Sequence, residues 1–197
     1  MRRTVLRCSS LIRLGALLGL CWLGHAQADG PRVTILQDDQ GEHLTRRWGY
    51  PLTIKVDPLT AGATSFSIGT EDIAPGKAIP AHRHMHAEEV VIVQSGTVLA
   101  RVGEQTVKVE AGGMAFAPAD TWMSYENIGP TTARVIWIFS KPGFEEYVRA
   151  TSVPAGQPVV PLSAPELSAI RERYKQHIDL AQPVTSAYQT EVTLKEQ

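Results

Sequence analysis

Cysteine is nearly absent from this chain. Cys8 and Cys21 are the only two in 197 residues. Both lie in residues 1–28, a stretch that reads as a secretory signal. Arg2, Arg3, Arg7 and Arg13 charge its front, Leu14 to Leu23 is apolar, and Ala26-Gln27-Ala28 offers a small-x-small cleavage site. Cleavage there leaves 169 residues without a thiol. That excludes a disulfide framework, a thiolate metal ligand and a cysteine nucleophile. Stability must then come from a packed core, which a single domain of this length supplies. Long apolar runs are also lacking. The signal's run of ten residues is too short to span a bilayer, so no membrane contact is expected after cleavage, and the expected location is periplasmic or secreted. Excess positive charge is missing too. Without the four signal arginines the net charge is −5 with histidine neutral. Nothing makes a basic stripe, so a nucleic-acid partner is not expected. The export route stays open, because Arg2-Arg3-Thr4-Val5-Leu6 loosely resembles a twin-arginine signal.

What is present from Pro31 onward reads as short strands between turn signals. Val33 to Leu36 is expected as a strand, followed by a turn at Asp38 to Gly41. Leu52 to Val56 and Ser65 to Ile68 alternate apolar and polar residues, and Ile73-Ala74-Pro75-Gly76 turns the chain. Val90 to Val93 is continuously apolar, as in a strand buried on both faces. Thr97 to Val102 and Gln105 to Val109 form an expected hairpin around Gly103-Glu104. Met114 to Ala117, Met123 to Asn127 and Arg134 to Phe139 complete the series. Strands at this spacing predict a sandwich or barrel. No internal repeat is visible. After Phe139 the pattern changes to a short helix at Phe144 to Arg149 and a proline-bearing wrap from Ser152 to Pro165. A helix is expected over Pro165 to Asp179, with Leu167, Ile170, Tyr174 and Ile178 at helical spacing. It would cover the barrel or a neighbouring subunit, and a homodimer stays open. His177 reads as a surface or packing residue.

The chemistry-bearing stretch is Gly76 to Gly96, GKAIPAHRHMHAEEVVIVQSG. His82 and His84 are two apart, so an extended strand turns both to one face. A reversal near Met85 to Ala87 would bring Glu89 in from the next strand. Two histidines and one carboxylate are the facial triad of non-haem iron sites and also a zinc set. By strand alternation Glu88 faces solvent, and His86 sits on an exposed turn, although it could replace a missing imidazole.

The wider spacing resembles a known family. Gly76, five residues, His82, one residue, His84, four residues, Glu89, six residues, Gly96 fills every fixed position of the first cupin motif. Gly112, Pro118, Asp120, Thr121, Trp122, Met123 and Asn127 resemble the second, with two departures. Asp120 stands where the family usually has glycine, and Met123 where it has its third metal-binding histidine. The resemblance spans roughly residues 33–149. It implies an all-β fold, a double-stranded β-helix or jelly-roll barrel, in residues 29–150. Residues 151–197 would form a C-terminal wrap and short helix.

The resemblance further implies that His82, His84 and Glu89 are metal ligands, with Met123 projecting at the same point. Three outcomes stay open. The metal keeps two histidines and one glutamate with free positions, which suits Fe, Mn or Zn. Met123 ligates through sulfur, which favours copper. Or the metal site is lost and the barrel binds an organic ligand in an apolar pocket. Tyr125 shares strand parity with Met123, so its hydroxyl is the expected hydrogen-bond donor or substrate contact and the candidate catalytic group. Trp122, Met114 and Phe116 are candidates for lining the pocket, and Asn127 is expected to be structural. The expected function is an exported single-domain cupin that binds one divalent metal and acts on a small organic molecule. Dioxygenase-like oxidation leads, with decarboxylation or isomerisation close behind. The alternatives are a non-enzymatic copper- or small-ligand-binding protein and a purely structural barrel.

Overall fold

The computed structural model describes residues 30–47 and 49–181. The signal-like residues 1–28 and the tail from Thr185 lie outside the described residues. The elements are β1 (Glu42–Arg46), β2 (Pro51–Val56), β3 (Ser67–Ile73), β4 (Ala78–Arg83), β5 (Glu89–Ser95), β6 (Thr97–Val102), β7 (Gln105–Glu110), β8 (Met114–Ala117), β9 (Met123–Asn127), β10 (Ala133–Phe139), α1 (Phe144–Ala150), β11 (Ser152–Pro154), α2 (Ala164–Tyr174) and β12 (Asp179–Leu180).

The strands form two antiparallel sheets packed face to face. One has the order β11-β1-β2-β3-β10-β5-β8, the other β12-β4-β9-β6-β7. This is the jelly-roll sandwich expected from the strand spacing and the motif resemblance. Alternation explains which side chains meet between the sheets. On β10, Ala133, Val135, Trp137 and Phe139 are buried, and on β5, Glu89, Val91 and Val93. Burying each large apolar side chain contributes roughly 1.5–3 kcal/mol. One close approach fixes the packing of β3 on β10. A Cβ on Gly69 would lie 2.0 Å from Cζ2 of Trp137 and 2.4 Å from the Thr53 carbonyl oxygen. The indole therefore occupies the space that any larger residue there would need.

Several expected elements differ. Val33 to Leu36 forms no strand. Val33 and Ile35 are 98% and 85% exposed, and the chain there is tied at Arg32, whose N–H donates to the Ala61 carbonyl at 2.9 Å. β3 begins at Ser67, two residues later than expected. Val90 to Val93 is not buried on both faces; Val90 and Ile92 are only half-buried on the outer side. β1 escaped sequence reading because charged Glu42 and Arg46 occupy its inward positions beside Leu44. The expected wrap begins with β11, which pairs with β1 at Leu44↔Pro154 and Arg46↔Ser152. Pro154 is tolerated because β11 is an edge strand.

The last helix stops at Tyr174 and not at Asp179. Ser163 caps its start in a capping box with Glu166, and Pro165 stands in the first turn. Beyond it, Asp179 and Leu180 pair with Arg83 and His82 of β4. Tyr174 and Ile178 are buried against Tyr147 of α1, so the expected stripe does face inward. The C-terminal segment thus adds one strand to each sheet.

Candidate metal centre

The two sheets bring the site residues together from opposite sides. His82 lies on β4 and His84 one residue beyond it, on the five-stranded sheet. Glu89 opens β5 on the seven-stranded sheet. All three are buried, with His84 only 1% exposed. Their candidate ligand atoms lie within 4.8 Å of one another. His82 Nε2 is 4.0 Å and His84 Nε2 3.8 Å from Glu89 Oε2. Both separations are too long for hydrogen bonds. They are short enough for one ion to touch both partners at ordinary ligand distances of about 2.0–2.2 Å.

The opposite ring nitrogens are already used. His82 Nδ1 donates to the Pro80 carbonyl at 2.7 Å, and His84 Nδ1 to the His177 carbonyl at 3.1 Å. A carbonyl only accepts, so each Nδ1 carries the proton and each Nε2 presents a lone pair inward. His84 Nε2 and Glu89 Oε2 are buried and have no hydrogen-bond partner among the described residues. Leaving a buried acceptor unsatisfied costs roughly 1–3 kcal/mol. Two such acceptors converging on one point, with both tautomers set for ligation, fit a bound cation.

The electrostatics agree. Burial pushes His82 down to about 4 against the pull of its Pro80 hydrogen bond, and the Arg46 charge adds to the fall. Burial, then the neighbouring His82, holds His84 well below the usual imidazole range. Both rings are therefore neutral near pH 7, the form that binds metal. Burial, reinforced by Glu71, pushes Glu89 up to about 8. Without an ion the carboxyl keeps its proton; a cation would release it.

A pH prediction follows. A carboxyl whose folded pKa is raised favours folding while protonated, and that contribution is lost as pH rises toward 8. The imidazoles, with lowered folded values, oppose folding as pH falls through about 6.5, where their unfolded forms are half protonated. They therefore offset part of the Glu89 effect at the low end of this range. Metal-free protein should lose about 1 kcal/mol between pH 6.5 and 8, and Zn(II)-loaded protein should not. Urea unfolding of both forms at the two pH values checks this. A flat metal-free profile would contradict a neutral, buried Glu89.

Met123 sits directly across from His82 in the β4–β9 register, and it is 2% exposed. Its Sδ accepts the Tyr125 hydroxyl at 3.7 Å. Burial, then the Glu89 charge, raises the Tyr125 phenol well above its usual range, so it stays a donor. Tyr125 therefore faces the same interior as expected, with its proton directed at the sulfur.

The rest of the second motif also has clear roles. Asp120 adopts a φ of 63°, the left-handed conformation that glycine takes most easily. Its N–H donates to the His84 carbonyl at 2.8 Å. Asn127 is fully buried and structural. Its amide donates to the Ile73 and Thr131 carbonyls at 2.7 and 2.8 Å and accepts from Gly129 N–H at 2.9 Å.

Three expected pocket residues are not pocket residues. Met114 and Phe116 are 57% and 51% exposed, because the smaller Ala115 and Ala117 take the inward positions of β8. Trp122 lies on the surface with the Arg83 guanidinium 4.8 Å from its ring centroid. His86 and Glu88 are exposed, as expected. Sequence reading missed the His177 carbonyl, since every residue carries one and no side-chain signal marks it. It also missed Arg46 and Glu71, whose charges reach His82 and Glu89; charged residues at inward strand positions were the available signal.

Comparison with known proteins adds to the geometry. The family described as cupin domain matches residues 69–139, which hold all of β4, β5 and β9. The chain is 30% identical over 110 residues to polyketide synthase CurC of Streptomyces cyaneus, covering 56% of this chain and 70% of that protein. It is 30% identical over 124 residues to germin-like protein 3-8 of Oryza sativa subsp. japonica, covering 56% of this chain and 55% of the other. Among solved structures, KdgF from Halomonas sp. superposes with a TM-score of 0.50 at 11% identity, covering 57% of this chain and 98% of that one. At that identity the likeness concerns the fold alone.

Proposed function

Because this chain belongs to the cupin superfamily, we propose that it is a metal-dependent cupin in which His82, His84 and Glu89 hold one divalent ion. The observation that carries the reading is the pair of buried, unpartnered acceptors, His84 Nε2 and Glu89 Oε2, converging on one point. Two imidazoles and one carboxylate suit Fe, Mn or Zn and leave coordination positions for a substrate. When bound, such an ion supplies Lewis-acid and orienting chemistry.

The protein's own groups would do the rest. Glu89 gives up its proton on loading, the Pro80 and His177 carbonyls keep the rings oriented, and the Tyr125–Met123 pair forms a dry wall beside His82. Oxidation of a small organic molecule is the leading chemistry, with decarboxylation or isomerisation as the other outcomes. The name of the Streptomyces relative makes polyketide-type compounds, oxygen-rich and able to chelate, the first substrates to screen. The second reading is copper binding without catalysis. It is favoured by the buried thioether opposite His82. Residues 1–28 are proposed as a cleaved export signal, which places the mature protein in the periplasm or outside the cell.

One experiment tests both parts. Exported material is purified, its N-terminus sequenced, and its metal content measured. The expected result is a chain beginning at Asp29 with one iron, manganese or zinc per chain. An intact Met1 in exported material would overturn the signal. Copper at full occupancy would favour the second reading, and no metal uptake after reconstitution with Fe, Mn, Zn and Cu would overturn the metal site itself.

A further inference from the structure

The segment after α2 lies outside the stretch matched by the cupin family, yet it reaches the metal ligands twice. The His177 carbonyl accepts the Nδ1 proton of His84, and β12 pairs with β4 at Leu180↔His82 and Asp179↔Arg83. Resting on the metal-binding reading above, we infer that residues 174–181 form a strap that positions His84 for the metal. Metal affinity is therefore coupled to docking of this strap on β4.

The strap is held by contacts separate from the ligands. Ala181 N–H donates to the Ala81 carbonyl at 3.0 Å. The Arg83 guanidinium forks onto Asp179 Oδ2 at 3.0 and 2.9 Å, and its other nitrogen reaches Asp120 Oδ1 at 3.0 Å. One arginine on the His strand thus clamps the strap and the second motif together. Tyr174 and Ile178 anchor the strap's start against Tyr147. At Gly143 the missing Cβ makes room for the strap: an added one would lie 2.2 Å from His177 Nδ1.

The consequence for His84 is chemical. His84 lies just past the end of β4, so the ladder between β4 and β9 does not fix its ring. Phe139 and Phe144 flank it, with ring centroids at 4.4 and 4.9 Å, but apolar rings do not choose a tautomer. Among the described residues, the one hydrogen bond of its imidazole is to the His177 carbonyl. That bond puts the proton on Nδ1 and the lone pair on Nε2, toward Glu89. Hydrogen-bond partners of this kind commonly change metal affinity by about 10–100-fold.

The test uses the full chain carrying Asp179→Ala with Ala181→Pro. The first removes the clamp, and the second removes the N–H that joins the strap to β4. Zn(II) affinity is measured by chelator competition in this variant, in wild type, and in both chains with His84→Ala added. The expected result is a loss of about tenfold or more in the His84 chain and no further loss in the His84→Ala chain. Equal losses in both backgrounds would mean that the strap acts on the whole fold, and would overturn the inference. So would unchanged affinity. Should the variant fold poorly, amide exchange in wild type decides, because coupling is reciprocal. Zn(II) should slow exchange across residues 176–181, and no slowing overturns the strap. A wild type that takes up no Zn(II), Fe(II) or Mn(II) overturns the metal reading and the strap together. Normal uptake with no strap effect overturns the strap alone.

Discussion

Replacing His82 and His84 together with alanine should abolish stoichiometric metal binding and leave a folded barrel. The two rings supply two of the three converging ligand atoms. With both gone, only the Glu89 carboxylate remains in a pocket that already keeps it protonated. A single buried carboxyl pushed to about 8 has no reason to ionise for a weakly held ion, so the loss should exceed the sum expected from two separate ligands. The fold should survive because the sandwich rests on apolar pairs such as Val91 with Trp137 and Val135 with Val93, which the substitutions do not touch. A cavity penalty remains, on the order of 2–5 kcal/mol for each large buried side chain truncated, offset in part because two desolvated imidazoles are removed. Glu89→Gln separates this packing cost from the electrostatics. It keeps the shape, cannot ionise, and should lose metal while removing the fall in metal-free stability above pH 6.5. Metal content by elemental analysis, alongside circular dichroism and thermal unfolding, reads both variants against wild type. Stoichiometric metal in the double alanine variant would place the ion elsewhere.

Much of this site was legible in the sequence because it depends on local spacing. Residues two apart on an extended chain share a face, so His82 and His84 leave the backbone on the same side. Glu89 follows after a tight reversal, and its arrival from the opposite sheet needed only the jelly-roll pattern. Gly112 to Asn127 were equally readable, and Asp120 takes the left-handed conformation that glycine usually supplies there. What stayed hidden depends on long-range registry. The His177 carbonyl is 93 positions from His84, and a backbone oxygen carries no sequence signature. β12 is two residues long, too short for any periodicity to show. Met114, Phe116 and Trp122 misled for a related reason. Large apolar residues usually pack inside, but on β8 the inward Ala115 and Ala117 turn Met114 and Phe116 outward, and Trp122 directly precedes the inward Met123. Arg46 and Glu71 were overlooked because charge at an inward strand position contradicts a simple apolar alternation. Such contradictions mark functional interiors more often than errors of folding.

At the proposed metal site, the variants that separate the two readings are those of Met123. It stands where the family resemblance places an imidazole, opposite His82 and buried. Its sulfur already accepts the Tyr125 hydroxyl, so a ligating role would have to use the remaining sulfur lone pair. As a wall residue it leaves the two histidines and Glu89 as the whole strong ligand set. Met123→His should then add a third imidazole and tighten Zn(II) by about tenfold or more, at least about 1.4 kcal/mol. The new ring's other nitrogen would carry the imidazole proton and donate to the Tyr125 oxygen, so the phenol would turn from donor to acceptor. Met123→Leu is nearly volume-conserving, and a thioether is a weak acceptor. It should cost under about 1.5 kcal/mol in stability and leave both Zn(II) and Cu(I) affinity near wild type. The copper reading expects a different pattern: Cu(I) affinity collapses in Met123→Leu while Zn(II) barely moves, because soft sulfur is the ligand that distinguishes the two ions. Competition titrations of wild type and both variants with the two ions separate these cases. A Met123→His variant that strengthens neither ion would show that the side chain at 123 does not reach the ligand cluster, despite its place across from His82.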